Sequence, residues 1–181
     1  TGPQGSGNHL FSKVLSMHED VSGWDNLLRE YWINHEAAPF KEIWSNPDAI
    51  AVIIGNRDYE GSTPDVDFAG NDADAMKRYV INKLGYRPGN IIDLRDASKA
   101  EIEATFGTKE MHKGKLYDYD RADESDVLVF YSGHGVPGMS DRRGYLLSVD
   151  ADPNRAELTG YPVDVLLKNI AKVPAKSMMV F

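Results

Sequence analysis

The sequence predicts an α/β domain in which helices cover both faces of a mostly parallel sheet. Two short runs, residues 49–55 (AIAVIIG) and 127–131 (VLVFY), are apolar at every position, as expected of strands buried inside a parallel sheet. Segments with helical spacing of apolar residues alternate with runs of this kind. Such strand, helix, strand connections form right-handed crossovers, which place the strands parallel and the helices over the sheet.

Length and charge narrow the class of protein. With 181 residues and 41% hydrophobic residues, the chain is expected to form one domain with a real core. Its formal net charge of -8 argues against nucleic acid or an anionic membrane as the main partner. No apolar run is long enough to cross a bilayer, and the first residues do not resemble a secretion signal, so a soluble protein is expected, with the cytoplasm favoured.

The domain is expected to begin after an amino-terminal extension. Residues 1–8 are Gly-rich and are interpreted as a disordered or expression-derived tail. Residues 9–47 show helical spacing and are interpreted as a helical arm, with residues 48–181 as the domain itself. The arm contains all the tryptophans of the chain, for which packing onto the domain is the expected role: Trp24, Trp32 and Trp44.

The elements after the first strand follow the same alternation. A helix over residues 68–84 has apolar positions on one face, and Gly85 is expected to end it. Ser98 is expected to cap a helix over residues 99–106, because Glu101 three positions later completes a capping box. The other expected elements are a strand at 90–94, a surface loop at 107–125, a strand at 144–149, a helix at 162–170 and a strand at 176–181.

The strongest functional signal follows the strand at 127–131. Ser132, Gly133, His134 and Gly135 place an imidazole where the strand ends, between glycines that let a backbone or a substrate approach closely. Ligands bind at this end of the strands in open α/β sheets. A single loop histidine is more often a structural hydrogen-bonding group, so a catalytic interpretation needs further matching motifs.

Five segments together resemble the caspase and metacaspase superfamily of cysteine peptidases, most closely its prokaryotic metacaspase-like (orthocaspase) branch. They are AIAVIIGNRDY from residue 49, FAGNDADAMKRYV from 68, DVLVFYSGHG from 126, GYLLSVDADP from 144 and AKSMMVF from 175. The resemblance implies a caspase-like three-layer sandwich, which lacks its last strands in this chain. It also implies a cysteine endopeptidase activity, with autoprocessing as in the family.

The resemblance implies that His134 works with a cysteine, first as the base that activates the thiol and then as the acid that protonates the leaving amine. The backbone N-H of Gly135 would help to bind the oxyanion. The chain contains no cysteine. Because a caspase histidine precedes its cysteine by roughly 50 residues, the cysteine is expected shortly after Phe181. It would lie in a C-terminal portion that is either a second, processed chain or a continuation of this chain beyond the given residues. This chain alone would then be inactive.

For the substrate, the resemblance points to Asp72 and Ser132, which match an acidic pocket for an arginine or lysine before the scissile bond. A carboxylate suits such a cation through charge-assisted hydrogen bonding. The expected partner is therefore a peptide or protein with a basic residue at that position. Arg57 keeps open the aspartate specificity of animal caspases, although a solvated loop arginine is its simpler interpretation. Asp72 also fits a purely structural position near a helix N-terminus.

No cofactor is expected. Some metacaspases bind calcium through acidic residues after the histidine, but here that loop reads GMSDRRGY, with Arg142 and Arg143 where acids would be needed. We therefore expect no strong calcium site. Asp150 and Asp152 are interpreted as turn-capping residues next to Pro153.

Two other classes of function stay open. A non-catalytic caspase-like binding or scaffold module would share the same motifs, although a domain that ends on an apolar strand leaves an edge prone to aggregation. A nucleotide-binding flavodoxin-like domain would need a Gly-rich phosphate-binding pattern after a strand, and the sequence has none.

Overall fold

The central sheet consists of four parallel strands in the computed structural model, which describes residues 46–181. Side by side they lie in the order β2 (Ile91–Arg95), β1 (Ile50–Gly55), β3 (Asp126–Ser132) and β7 (Ser177–Val180), numbered along the chain. The predicted buried parallel strands are thereby confirmed. The predicted tail at 1–8 and all but the last two residues of the predicted arm at 9–47, with Trp24, Trp32 and Trp44, lie outside the described residues.

Helices cover both faces of this sheet, as predicted. Ile50, Val52 and Ile54 belong to the core on one face, whereas Ala51 and Ile53 belong to the core on the other, because successive side chains of a strand alternate. The helix over the second face is α1 (Ala69–Asn82), and those over the first face are α2 (Lys99–Phe106), α3 (Lys115–Tyr119) and α5 (Val163–Ile170). None of the helices in residues 46–181 is long and apolar enough to span a membrane.

A second, antiparallel sheet was not predicted. It consists of β4 (Gly135–Pro137), β5 (Gly144–Leu146) and β6 (Tyr161–Pro162), with β5 in the middle. The predicted strand at 144–149 is shortened to β5 and pairs with β4 instead of extending the alternation of strands and helices. Strands of two or three residues are too short to produce a periodic pattern that a sequence can reveal.

The helices mostly follow the predicted bounds, with two corrections. The segment 107–125 is not all loop, because it contains α3, whose Leu116 is buried. Pro162 precedes α5 as its N-cap instead of lying inside the helix, and it pairs in β6. A further short helix, α4 (Ala156–Thr159), comes before β6.

Two sequence signals for helix ends are confirmed. The Ser98 capping box is present, with both the side chain of Ser98 and that of Glu101 bonded to backbone N-H groups. Gly85 follows α1 with a φ of 72°, a left-handed conformation that favours glycine.

Side-chain hydrogen bonds fasten the amino end of the central sheet. The carboxylate of Asp126, the first residue of β3, accepts from the amide of Asn46 at 2.7 Å and from the hydroxyl of Ser177 at 2.6 Å. The side-chain amide of Asn90, just before β2, donates to the carbonyl of Pro47 at 2.8 Å. These bonds connect the segment before β1 with the first residue of β3 and with the residue just before β2, and they connect β3 with the first residue of β7.

Candidate active site

The turn that contains His134 lies between β3 and β4, at the carboxyl edge of the central sheet. Its backbone is held on both sides. The N-H of His134 donates to the hydroxyl of Tyr59 at 2.8 Å. Its carbonyl accepts from the N-H of Leu147 at 2.9 Å and from the hydroxyl of Tyr131 at 2.8 Å. The backbone that carries the imidazole is therefore fixed, although His134 belongs to no strand.

The half-buried imidazole contacts the loop between β1 and α1. Its Nε2 atom lies 2.7 Å from the carbonyl oxygen of Pro64, and its centroid lies 4.8 Å from that of the Tyr59 ring. A carbonyl oxygen can only accept a hydrogen bond, so Nε2 carries the hydrogen. In the neutral ring, Nδ1 of His134 is then the nitrogen with the free electron pair, and it can accept a proton.

A buried polar network supports this turn from inside. Asn56 and Tyr59 donate to the carbonyl of Leu147, at 3.1 and 3.3 Å. The hydroxyl of Tyr131 lies 2.9 Å from the same carbonyl and shares its one hydrogen between this oxygen and the carbonyl oxygen of His134. Burial raises the pKa of the Tyr59 phenol and that of the Tyr131 phenol. Both hydroxyls therefore keep their protons over the pH range in which a histidine titrates, and the network remains intact.

Gly133 is needed to accommodate this network. A Cβ atom at this position would lie 2.7 Å from the hydroxyl oxygen of Tyr131 and 2.7 Å from that of Tyr59. A side chain would therefore push the turn away from both phenols. The sequence suggested that a small residue here admits the substrate, and the structure adds a packing reason for it.

Gly135 opens β4, which is an edge strand of the small sheet. The N-H of Leu147 donates to the carbonyl of His134, so these two residues form a hydrogen-bonded pair. In an antiparallel ladder such pairs alternate with non-hydrogen-bonded ones, and the next pair is Gly135 with Leu146. The N-H of Gly135 therefore points away from β5. A Cβ at Gly135 would meet only the carbonyl of Tyr145, at an ordinary 3.6 Å. The protein itself does not require glycine here, and the exposed N-H is directed toward an open edge.

The structure brings Asp72 and Ser132 together. The hydroxyl of Ser132, at the end of β3, donates to the carboxylate of Asp72, in the first turn of α1, at 3.2 Å. Helix α1 lies directly on the end of β1, because a Cβ at Gly55 would be 2.8 Å from both the carbonyl of Ala69 and the Cβ of Ala73. The two side chains therefore lie at the same edge of the sheet as the histidine.

Phe68, which the sequence analysis did not single out, lies next to this pair. It is the N-cap residue of α1, makes no capping hydrogen bond with its side chain, and is 66% exposed. It precedes Asp72 by four residues, so the two lie on one side of the helix. The hydrogen bond between Asp72 and Ser132 shows that this side faces the end of β3.

The other acidic and basic candidates have surface or capping positions. Arg57 is 56% exposed and forms an ion pair with Asp58 at 3.4 Å. Asp150 accepts from the N-H of Lys99 at 3.1 Å, and Asp152 accepts from an N-H two residues later at 2.9 Å. The turn-capping interpretation is confirmed for Asp152, whereas Asp150 caps the start of α2 and not the turn at Pro153.

The loop after β4 carries the two arginines that were expected to disfavour calcium. Arg143 forms an ion pair with Asp164, and Asp141 accepts from the hydroxyl of Tyr145 at 2.6 Å. Within residues 46–181, no three histidine, aspartate or glutamate side chains form a group that could hold a metal ion. The expectation about calcium stays a prediction.

Sequence reasoning missed the residues that hold the histidine. Gly61 and Pro64 identified a loop, but nothing in the sequence indicates that the backbone carbonyl of Pro64 contacts an imidazole 70 positions away. Tyr59 and Tyr131 look like ordinary core residues at strand ends. Their common signal is a tyrosine at or just after the end of each of two neighbouring strands.

Comparisons with known proteins point to one family and include one named relative. The family model described as Caspase domain matches residues 48–181. A stretch of 88 residues is 27% identical to Metacaspase-9 of Arabidopsis thaliana, and this alignment covers 48% of the chain but 27% of the relative's length. The comparison with this relative therefore concerns about a quarter of that protein.

Proposed function

The chain belongs to the Caspase domain family, which suggests a cysteine peptidase, and from that premise we propose that it is the histidine-bearing part of an endopeptidase cleaving after arginine or lysine. The observation that carries the proposal is the arrangement of His134. Its backbone is fixed on both sides, its Nε2 is bound to Pro64, and its Nδ1 is free to accept a proton. Such an imidazole is suited to general base and acid catalysis.

The nucleophile of the proposed enzyme comes from residues outside this sequence, which has no cysteine. Strand β7 lies parallel to β3, with Val180 opposite Val129, and the pairing continues as the N-H of Tyr131 donates to the carbonyl of Phe181 at 3.0 Å. If the register continued, the fourth residue after Phe181 would lie opposite His134. This agrees with the spacing of roughly 50 residues between the histidine and cysteine of caspases.

The proposed reaction is an acyl transfer in two stages. The thiol gives its proton to Nδ1 of His134, and the sulfur attacks the scissile carbonyl carbon while the N-H of Gly135 donates to the oxyanion. The imidazole then protonates the leaving amine as the C-N bond breaks. A water molecule, deprotonated by the same imidazole, attacks the thioester, which releases the acid and restores the thiol.

The proposed preference for arginine or lysine is supported by the pair formed by Asp72 and Ser132. A carboxylate and a hydroxyl at 3.2 Å offer acceptor oxygens to a guanidinium or ammonium group. The exposed ring of Phe68 supplies an apolar surface for the aliphatic part of such a side chain and a π face for its charge. The net charge of -8 would also attract a cationic peptide.

Several finer predictions accompany this proposal. We expect the cysteine-bearing portion to be a separate chain produced by processing of the same protein. We also expect the prokaryotic metacaspase-like branch to be the nearest part of the family, the cytoplasm to be the site of action, and no cofactor to be needed. Each of these stays a prediction.

The test uses the chain produced together with the sequence that follows Phe181 in its gene. The intact mass shows whether a cysteine-containing chain copurifies. Peptides with arginine, lysine or aspartate before the scissile bond are then compared. We expect turnover after arginine and lysine only. Faster turnover after aspartate would contradict the acidic pocket, and no turnover of any peptide would favour a non-catalytic scaffold module.

A matched pair of variants tests the pocket itself. Asp72→Asn should lower kcat/KM for arginine and lysine peptides by roughly 10- to 100-fold, because a charged acceptor becomes neutral. Asp74→Asn removes the same charge from the same helix, but the carboxylate of Asp74 pairs with Arg95 at 2.9 Å. Its kcat/KM should remain close to that of the unsubstituted enzyme. Equal losses in both variants would contradict a direct role for Asp72.

A further inference from the structure

One loop, residues 59–65, holds His134 at two points, and we name it the clamp loop. At its start, the hydroxyl of Tyr59 accepts the N-H of His134 at 2.8 Å, and the Tyr59 ring lies against the imidazole. Near its end, the carbonyl of Pro64 lies 2.7 Å from Nε2. The first contact fixes the backbone of the histidine, and the second fixes the direction of its ring.

The two ends of the clamp loop are tied to each other. The carboxylate of Asp65 accepts the N-H of Tyr59 at 3.0 Å, and the N-H of Val66 donates to the carbonyl of Arg57 at 3.0 Å. The carbonyl of Pro64 and the N-H of Asp65 belong to one peptide group. Because the carboxylate anchors the same residue, it orients the peptide group that receives the imidazole hydrogen.

Apart from Tyr59, which is buried in the core, the loop contributes little to the hydrophobic core. From Glu60 to Asp65 its residues are exposed, apart from the partly buried Thr63. Asp65 is an exposed residue, and its hydrogen bond to the N-H of Tyr59 is partly buried. The loss of one such bond changes the free energy of unfolding by about 1 kcal/mol. The hydrogen bond between Asp65 and Tyr59 determines the position of the Pro64 carbonyl.

We propose that Asp65 and Tyr59 are positioning residues for His134. Together they hold the ring with Nε2 as the donor and Nδ1 free, and neither needs to touch the substrate. The task given to Nδ1 rests on the proposed function. The geometry of the ring does not, and it can be measured without any peptidase activity.

The first experiment follows the Nε2 hydrogen of His134 by NMR in the 181-residue chain labelled with ¹⁵N-histidine. Its hydrogen bond to Pro64 should slow its exchange with water. Asp65→Ala should speed this exchange by at least about tenfold, because the peptide group loses its anchor. Asp65→Asn should preserve most of the protection, since the amide oxygen can accept from Tyr59.

Asp67→Ala is the matched control. Asp67 is an exposed acid two positions further along, and in the described part of the chain its carboxylate has no hydrogen bond or ion pair. We expect exchange as in the unsubstituted chain. Equal acceleration in both alanine variants would show an effect of charge alone and overturn the proposal, as would unchanged exchange in Asp65→Ala or an unprotected Nε2 hydrogen in the unsubstituted chain.

Tyr59→Phe tests the other contact. It keeps the ring against the imidazole but removes the acceptor for the backbone N-H of His134. The exchange of that amide should become about tenfold faster, whereas the amide of Leu147, which donates to the histidine carbonyl, should keep its rate. Equal changes at both amides would indicate a loosened turn and contradict a specific role for the hydroxyl.

The last measurement uses the complete enzyme of the proposed function. Asp65→Ala should lower kcat by up to about 100-fold with little change in KM for an arginine peptide, since the misplaced imidazole affects the reaction and not the pocket. An unchanged kcat, or a rise in KM alone, would overturn the positioning role. If no form of the enzyme turns over any peptide, the proposed function fails, while the exchange results still decide how the imidazole is held.

Discussion

The two ends of the central sheet use the same kind of interaction for different purposes. At the amino end, Asp126 accepts from Asn46 and Ser177 and thereby connects the first residues of paired segments. At the carboxyl end, Tyr59 and Tyr131 bond to the backbone of a turn that belongs to neither neighbouring strand. Hydrogen bonds at the amino end fix the pairing of strands, and at the carboxyl end they fix the backbone of one residue, His134. Substitutions at the two ends should therefore separate stability from activity.

The largest effect on activity is expected from His134→Ala in the complete proposed enzyme. The loss of general base and acid should reduce kcat by roughly 10²- to 10⁴-fold. Because the imidazole is only half-buried, the melting temperature should change little. His112→Ala is the control, since His112 lies before α3 and its ring packs edge-on against the ring of Tyr117, with the two centroids 5.5 Å apart. Near-normal turnover by His134→Ala would contradict a catalytic role for the carboxyl end of the sheet.

Gly133→Ala should affect both properties. The new Cβ would lie 2.7 Å from the hydroxyl oxygens of Tyr59 and Tyr131, so the turn must move. We expect about 1–3 kcal/mol less stability toward denaturant and a clear loss of turnover. Gly89→Ala, in the turn before β2 at the amino end, meets no atom within 4 Å and should change the stability by less than about 0.5 kcal/mol. Similar results for both glycines would contradict the packing reason given for Gly133.

Asp126→Ala should lower stability without lowering activity. The amide of Asn46 and the hydroxyl of Ser177 would lose their acceptor, at a cost of about 1–3 kcal/mol in the free energy of unfolding. Turnover per folded molecule should stay the same, because the carboxyl edge is untouched. Denaturant unfolding measures the first effect, with the exposed Glu124→Ala as control. A loss of turnover in folded Asp126→Ala would show that the two ends are coupled.

A smaller effect concerns pH. The hydroxyl of Ser177, with a further contribution from Asn46, lowers the pKa of the Asp126 carboxyl in the folded state. A lowered folded pKa means that the stabilisation is present above the unfolded value and is lost as the pH falls through the folded one. The stability difference between the unsubstituted chain and Asp126→Asn should therefore be constant near neutrality and narrow below about pH 4. Unfolding curves at several pH values measure this difference. A difference that stays constant below about pH 4 would contradict the prediction.

The sequence was sufficient for the central strands because residues such as Ile53 and Val129 are buried in a run that is apolar on both faces. The family resemblance pointed to Asp72 and Ser132, whose side chains lie 3.2 Å apart, and their role in a pocket stays a prediction. The contact between Pro64 and His134 could not be predicted, because it depends on a backbone carbonyl that any residue possesses. The small sheet escaped for a different reason, as two or three residues do not establish a period.

The clamp loop also bears on how freely an exposed segment can vary in length. Surface loops generally accept extra residues at little cost in free energy. This loop joins two groups that hydrogen-bond to the same histidine, the hydroxyl of Tyr59 and the carbonyl of Pro64. A residue inserted or deleted between them would leave the core intact but would move the carbonyl of Pro64 away from the imidazole. The length of this loop is therefore constrained by the position of the histidine side chain, and not by the stability of the fold.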